Sequence, residues 1–457
     1  MKTYDLIIIG SGGGSKLRPA GDLGKKVAII EKDDLGGTCL NRGCIPSKML
    51  IHTAEVADEI RNAHKYDIDN DTNFKVNFEE LTTRVTESVS KTSHSIGDYY
   101  EKHKNVDYYH GTAKFIENKV IEINGEQLTA EKIFISVGTR ARIPEIEGLR
   151  DTPFMTSTEA LRLRKQPKKL LVLGGGYVAA ELGYFYGAVG TEVEFIVRST
   201  MLKGEDGEIA EEFTKVFGER FKLHLGHSPT KIQYENDEFI VTSEDKEGNT
   251  HELRADALLN ATGIVPNTDT LDLENTDIAL NARGYIIVDD NLQTNIPGIY
   301  ALGDCLGRYF FRHSVNFEGE YLMRTLYTKP SKEKIDYPPM PHAVFSNPQI
   351  AGVGKTEEEL KEEGIHYIVG KNPYSKSAMG GDAWMSEHGF CKLLFDRVSR
   401  KLLGAHIIGK ESSNMIHGLI MAMTMEATLD DLLKMIYIHP ALPEVVRNAA
   451  RNARDSF

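Results

Sequence analysis

Two stretches of this chain repeat one grammar. In YDLIIIGSGGGS, residues 4–15, a buried apolar strand enters a glycine-rich turn, and a second apolar run, KKVAIIEK, ends on Glu31. In KKLLVLGGGYVAAELGYFYGAVGTEVEFIVRS, residues 168–199, Gly174, Gly176 and Ala179 fill the glycine pattern, a helix continues through Glu181, and the second strand ends at Arg198. Strand, glycine turn, crossover and strand make up a dinucleotide-binding unit, because glycine lets the backbone turn sharply and approach a pyrophosphate. Two such units predict an α/β fold that binds two nucleotides. The first unit departs from the pattern: Ser15 stands at the third glycine position, and its crossover, SKLRPAGDLGKK, is short, polar and contains Pro19.

At 457 residues the chain has room for roughly three domains. Its 40% hydrophobic and 26% charged content is that of a soluble globular protein. No apolar run approaches the roughly 20 residues that span a bilayer, and Asp5 interrupts any signal-like N-terminal run, so neither a membrane partner nor a leader is expected. A net charge of −13 without a long basic run argues against nucleic acid. Four cysteines, Cys39, Cys44, Cys305 and Cys391, are too few for a secreted disulfide framework, which points to a reducing, cytosolic setting.

Between the units, Leu50, Ala54, Ala57 and Ile60 predict a helix starting near Cys44, followed by strands in KVIEI and EKIFISVG. ALLNATGIVPN and GYIIVDDNLQTNIPGIYALGDC read as further strands, the latter a pair ending at Gly303 and Asp304. From about residue 338, KLLFDR and KLLGAHIIG predict a strand pair and helices fall within 411–436 and 443–454, with Thr428 and Asp430 opening one of them. The expected division is 1–147 with 277–337, then 148–276, then 338–457.

GGTCLNRGCIPSK carries the strongest chemical signal. Two cysteines five apart can close a small disulfide loop, and Pro46 suits the first turn of a helix. Cys44 would then sit at a helix N-terminus, which favours a thiolate. A zinc half-site is the alternative, but Cys305 and Cys391 bring no His or Cys at ligand spacing, so no metal is expected. In IHPALPEVVRNA, His439 can supply a proton near neutral pH and Glu444 can orient it. Cys305 and Cys391 read as structural.

These motifs, running from Gly10 to Glu444, resemble the FAD-dependent pyridine nucleotide–disulfide oxidoreductases. The resemblance implies an FAD domain, an NAD(P) domain and a C-terminal α+β dimerisation domain. It implies that Gly10, Gly12, Gly13, Glu31, Gly37, Thr38, Gly138, Gly303 and Asp304 hold FAD. Gly174, Gly176, Tyr177, Arg198, Lys203 and Gly263 would hold the pyridine nucleotide, Tyr177 matching a tyrosine that covers the nicotinamide pocket in reductases. Cys44 becomes the flavin-facing thiol, Cys39 the thiol that exchanges with substrate, and Lys48 with Glu181 an ion pair beside the flavin. His439 and Glu444 become an acid/base dyad reaching the partner subunit's cysteines, which implies a homodimer with shared active sites.

Within that family the short polar first crossover, HPALPEVV and the LLGAHIIG…SS pattern are most similar to mycothione reductases, with dihydrolipoyl dehydrogenases next through GGTCLNRGCIPSK. Arg198 suits a 2′-phosphate, so NADPH is expected, NADH remaining open; Gly204 stands where NADPH-dependent relatives carry a second arginine, with Lys203 adjacent. The Lys- and Ile-rich composition is unlike that of the actinobacteria that make mycothiol, which leaves another small disulfide open. The C-terminal NARDSF lacks the cysteine pair of mercuric and large thioredoxin reductases, and both redox cysteines are present, unlike in a soluble transhydrogenase. A dehydrogenase acting on dihydrolipoamide with NAD is the rival reading. A flavoprotein scaffold without turnover is the reading from another class, and retention of Cys39, Cys44, Lys48, Glu181, His439 and Glu444 argues against it.

Overall fold

Uninterrupted apolar runs become central parallel strands in the computed structural model, which describes residues 1–456. Lys2–Ile9 lies between Val27–Glu31 and Glu126–Ile135, with Val106–His110 outside Val27–Glu31 and Ile299–Ala301 on the far side of Glu126–Ile135, all parallel. Leu6, Ile7, Ile8, Val27, Ala28 and Ile29 are fully buried there, each larger side chain contributing about 2 kcal/mol. Lys114–Glu117 and Val120–Ile123 add an antiparallel meander to the N-terminal half of Glu126–Ile135.

A second parallel sheet runs Lys222–Leu225, Glu192–Val197, Lys169–Leu173, Ala257–Asn260. The antiparallel strands Ser228–Glu235, Glu238–Glu244 and Thr250–Ala255 form a separate sheet. Thr139–Ala141 pairs with Ile264–Pro266. The C-terminal part is a five-stranded antiparallel sheet in which Phe390–Asp396 and Leu402–Ile408 pair as expected, covered by Ser412–Thr424 and Glu444–Arg454. Thr428 caps the short helix Leu429–Lys434 in a capping box with Asp431. The whole is α/β, with two parallel nucleotide-type sheets and a C-terminal α+β part. No helix among the described residues is long and apolar enough to cross a membrane.

Lys392 ties the second sheet's layer to the C-terminal one. Its side chain is 0% exposed, and its ammonium meets Asp206 at 2.9 Å, Glu208 at 3.0 Å and Glu357 at 2.5 Å. A buried cation with three carboxylates fixes how the layers dock, and losing one side of such a cluster costs about 3–5 kcal/mol.

Two features differ from the sequence reading. The segment 285–290 is no strand: apart from Ile299–Ala301, that stretch holds only isolated bridges such as Leu280 to Ile286. The Asp289 carboxylate accepts from the N–H groups of Asn291 and Gln293, and this local turn bonding displaces strand pairing. A 25-residue helix, Phe78–Lys102, was not expected. Its polar residues mask a buried series, Phe78, Leu81, Val85 and Val89, and Asn77 caps it by accepting from Glu80 N.

Candidate active site

The thiols stand at a break between two helices. Cys39 lies in Gly37–Arg42, and Cys44 is the first residue of Cys44–Asn62, after Gly43. Asn41 holds the first helix by donating to the carbonyls of Asp34, Leu35 and Gly37. Both thiols are free, Cys39 half-buried and Cys44 exposed. A hydrogen bond from Cys39 and the charge of Lys48 hold Cys44 down to about 7 against desolvation. The same bond and burial push Cys39 up. The pair is therefore divided into one thiolate-forming sulfur and one proton donor.

One turn on from Cys44, Lys48 reaches across to the second unit. Its ammonium donates to Glu181 at 2.6 and 2.8 Å and lies 4.5 Å from the centre of the Phe345 ring. Glu181 Oε1 also accepts from Phe345 N at 3.1 Å. Glu181 sits on Tyr177–Ala188, the helix that follows the second glycine turn, so this pair bridges the thiol helix and the nucleotide helix.

The first glycine turn forms a close-packed cradle. Gly10 has φ +96°, and a Cβ there would lie 2.3 Å from the Ser136 carbonyl oxygen; one on Gly37 would lie 2.6 Å from the Cα of Gly12. Only glycines allow these two backbones to meet. Side chains on Gly13 and Gly303 would both collide with Val315. Gly138 takes φ +64° and Thr38 is exposed on the first thiol helix. Glu31, buried at its strand end, accepts from Ser11 N at 2.9 Å, Ser11 Oγ at 2.8 Å and Asp33 N at 3.0 Å. Asp304 is buried enough for its carboxyl to be raised, and accepts from Thr139 at 3.0 Å. A side-chain-free floor flanked by two acids, meeting at Gly37 the helix that carries Cys39, fits a flavin dinucleotide.

In the second unit Gly174 has φ +116°, with a Cβ position 2.4 Å from the Ala261 carbonyl oxygen, and Gly176 precedes the helix. Gly263 takes φ +124° beside Arg142. Arg198 and Lys203 are exposed, and among the described residues neither forms an ion pair. Lys203, Thr200, Lys215 and Lys222 border a cleft of about 850 Å³ along the helix Gly207–Arg220. Tyr177 is half-buried, its hydroxyl bonded to Glu205.

At the C-terminal end, His439 Nδ1 lies 3.0 Å from Glu444, which also takes Ala441 N and Arg447. Burial raises the Glu444 carboxyl, but these partners outweigh it and hold it below its ordinary value. The His439 side chain is 71% exposed, beside Ile436 at 99% and Ile438 at 80%. Cys305 and Cys391 are fully buried; burial pushes Cys305 up to about 12 and raises Cys391 further, so neither is a ready nucleophile. Among the described residues no His, Cys, Asp and Glu group is arranged to hold a metal.

Sequence reasoning missed Glu318, Glu205, His342 and Phe311. Glu318 is buried and accepts from Gly303 N at 2.6 Å and Tyr337 at 2.8 Å, which fixes the turn beside Asp304. Glu205 and His342 meet at 2.7 Å beneath Tyr177. They come from segments 137 residues apart with no motif around them, so only the fold brings them together.

Residues 4–322 match the profile of the pyridine nucleotide-disulphide oxidoreductases, and 340–450 match the dimerisation domain of the same group. The chain is 34% identical to mycothione reductase of Mycobacterium tuberculosis over 99% of its own length and 100% of the relative's. It is 32% identical to mitochondrial dihydrolipoyl dehydrogenase 1 of Arabidopsis thaliana, over 99% and 90%. A solved Cu(II) complex of the HOCl-induced flavoprotein disulfide reductase RclA from Escherichia coli superposes with a TM-score of 0.87 at 28% identity, covering 99% of each chain. Members of this group bind FAD and NAD(P)H. The thiol pair, the two glycine cradles and these matches place the chain in the pyridine nucleotide-disulphide oxidoreductase family, whose members are flavoprotein oxidoreductases.

Proposed function

We propose that the chain reduces a low-molecular-weight disulfide at the expense of NADPH, as a homodimer whose active sites are completed across the subunit boundary. The carrying observation is the divided thiol pair: Cys44 held near 7 at a helix N-terminus, Cys39 protonated beside it, and Lys48–Glu181 one turn away. Gly10, Gly12, Gly13, Gly37, Thr38, Gly138 and Gly303 would line the flavin, Glu31 would take ribose hydroxyls and Asp304 the ribityl chain. Bound FAD would supply two-electron transfer between the nicotinamide and the cysteine disulfide.

Cys39 passes its proton to Nε2 of His439 of the partner subunit as its sulfur attacks one sulfur of the substrate disulfide; the new sulfur–sulfur bond forms as the old one breaks. His439 of the partner subunit gives its proton to the departing sulfur, and Glu444 holds that ring by Nδ1 so that Nε2 faces the substrate. Cys44 then attacks Cys39, releasing the second substrate thiol and closing the Cys39–Cys44 disulfide. The exposed Ile436 and Ile438 beside His439, with the dimerisation-domain match, support a second subunit over this face.

Arg198 and Lys203, two cations at the end of the second unit without ion partners among the described residues, support NADPH. The proposed division is 1–147 with 277–337 for FAD, 148–276 for the pyridine nucleotide and 338–457 for the subunit interface; the return of Ile299–Ala301 to the first sheet supports the split first domain. A matrix of NADPH and NADH against mycothione, glutathione disulfide, lipoamide and other small disulfides tests the reading. The expected result is fastest turnover with NADPH and a non-lipoyl disulfide. Fastest turnover of dihydrolipoamide with NAD would replace it with the dehydrogenase reading, which the 32% identity to dihydrolipoyl dehydrogenase also supports.

A further inference from the structure

Tyr177 opens the helix that follows the second glycine turn, and Glu181, four residues on, shares its face and carries the pair to Lys48. The charge of Glu181 reaches the Tyr177 phenol. That phenol therefore lies one helical turn from the carboxylate that meets Lys48. Near-parallel rings surround it: Tyr177 lies 6.3 Å from Phe311 at 29° and 6.4 Å from His342 at 31°, and Phe311 stacks on His313 at 5.1 Å and 9°.

The Tyr177 hydroxyl donates to Glu205 Oε1, while Glu205 Oε2 meets His342 Nε2 at 2.7 Å. The Glu205 side chain is 1% exposed and that of His342 18%. Burial pushes the Glu205 carboxyl up, but His342 and Tyr177 outweigh it and hold it below its ordinary value, so the acceptor is a carboxylate. Burial and that negative charge raise Tyr177, so the donor is a neutral phenol.

Three parts of the molecule meet on this one carboxylate. Glu205 belongs to the loop that carries Arg198 and Lys203, and Leu202 N in that loop donates to the Gly175 carbonyl at 2.6 Å. His342 comes from strand Pro341–Val344 of the C-terminal sheet. Asp206, the next residue, is held by the buried Lys392.

We propose that Glu205, backed by His342, is a positioning residue: it clamps the Tyr177 phenol one helical turn from the Lys48–Glu181 bridge and sets the cost of moving it aside for a nicotinamide ring. The proposal rests on the reading that the second glycine unit holds the pyridine nucleotide. A flat ring brought to that bridge must take the space of the phenol, and doing so breaks a hydrogen bond to a buried carboxylate. Such a bond is stronger than one between neutral groups. Weakening it tightens nucleotide binding.

The test is calorimetric titration of the flavin-loaded dimer with NADP⁺, for Glu205→Gln, Tyr177→Phe and the double variant, with His342→Gln as the second route should Glu205→Gln not fold. Each single variant is expected to lower Kd about fivefold, and the double variant to match either single one, because both break one bond. Additive tightening in the double variant, or tightening by Tyr177→Phe without any by Glu205→Gln or His342→Gln, would overturn the clamp. No change in any of them would overturn it too, by removing the phenol from the nucleotide's path. Arg198→Ala in the same titration reports on the underlying reading alone: weaker NADP⁺ binding there keeps that reading even if the clamp fails, and unchanged binding removes its 2′-phosphate argument.

Discussion

Between Lys2–Ile9 and Val27–Glu31 the chain crosses over in 3₁₀ turns, Gly13–Gly21, whereas between Lys169–Leu173 and Glu192–Val197 it crosses in the 12-residue α-helix Tyr177–Ala188. Leu17 and Ala20 of the first crossover are buried in the core of its sheet. A later helix, Arg312–Met323, packs on that crossover: Val315 fills the space where Gly13 and Gly303 have no side chains, and Glu320 pairs with Lys16 at 2.7 Å. The strand ends differ as well. Glu31 is buried and already held by Ser11, while Arg198 is exposed and, among the described residues, makes no ion pair. A buried acid with fixed donors suits neutral ribose hydroxyls; free cations suit a phosphate. On the proposed assignment, one backbone plan would serve two nucleotides through what stands at the end of its second strand.

If the two units serve separate halves of one reaction, a change on one side leaves the other half intact. Cys39→Ser is expected to lower disulfide turnover at least about 10³-fold while FAD stays bound and flavin reduction by NADPH continues, measured by steady-state assay and stopped-flow absorbance. Loss of flavin instead would remove the exchange role of Cys39. His439→Ala should slow the disulfide half-reaction about 10²-fold and spare flavin reduction; slowed flavin reduction would break the division.

On the other side, Arg198→Ala should raise KM for NADPH about 30-fold with little change for NADH, the size expected for a charge-assisted contact. Equal effects on both nucleotides would mean that the strand ends do not set the choice. The smallest effect concerns Cys44. A pKa lowered to about 7 means that thiolate is half-populated near pH 7 and is lost as pH falls below it. Alkylation of the reduced enzyme at Cys44 should therefore inflect near pH 7, and Lys48→Met should move the inflection upward, because the ammonium favours the thiolate.

Local signals were legible where one short segment carries the structure. The apolar runs became parallel strands, and the glycine turns took the positive-φ, contact-limited geometry that glycine permits. Cys44 fell at a helix start because Gly43 and Pro46 frame it. What was hidden depends on distant partners or on masking polarity. GYIIVDD has strand-like residues, yet the Asp289 turn bonding prevails. Phe78–Lys102 has a regular buried series diluted by Thr, Ser and Glu. Glu205 looks like one acid in an acidic loop until the C-terminal sheet brings His342 to it.

The most direct test of the electron path is two-electron reduction of the purified flavoprotein without oxygen, followed by its long-wavelength absorption. The unaltered enzyme should show, after that reduction, the band of a thiolate against oxidised flavin; Cys39→Ser, which has no disulfide to reduce, should show it before any reductant is added, and Cys44→Ser should lack it. A band that survives in Cys44→Ser, or is absent from both the unaltered enzyme and Cys39→Ser, would contradict the placing of Cys44 beside the flavin.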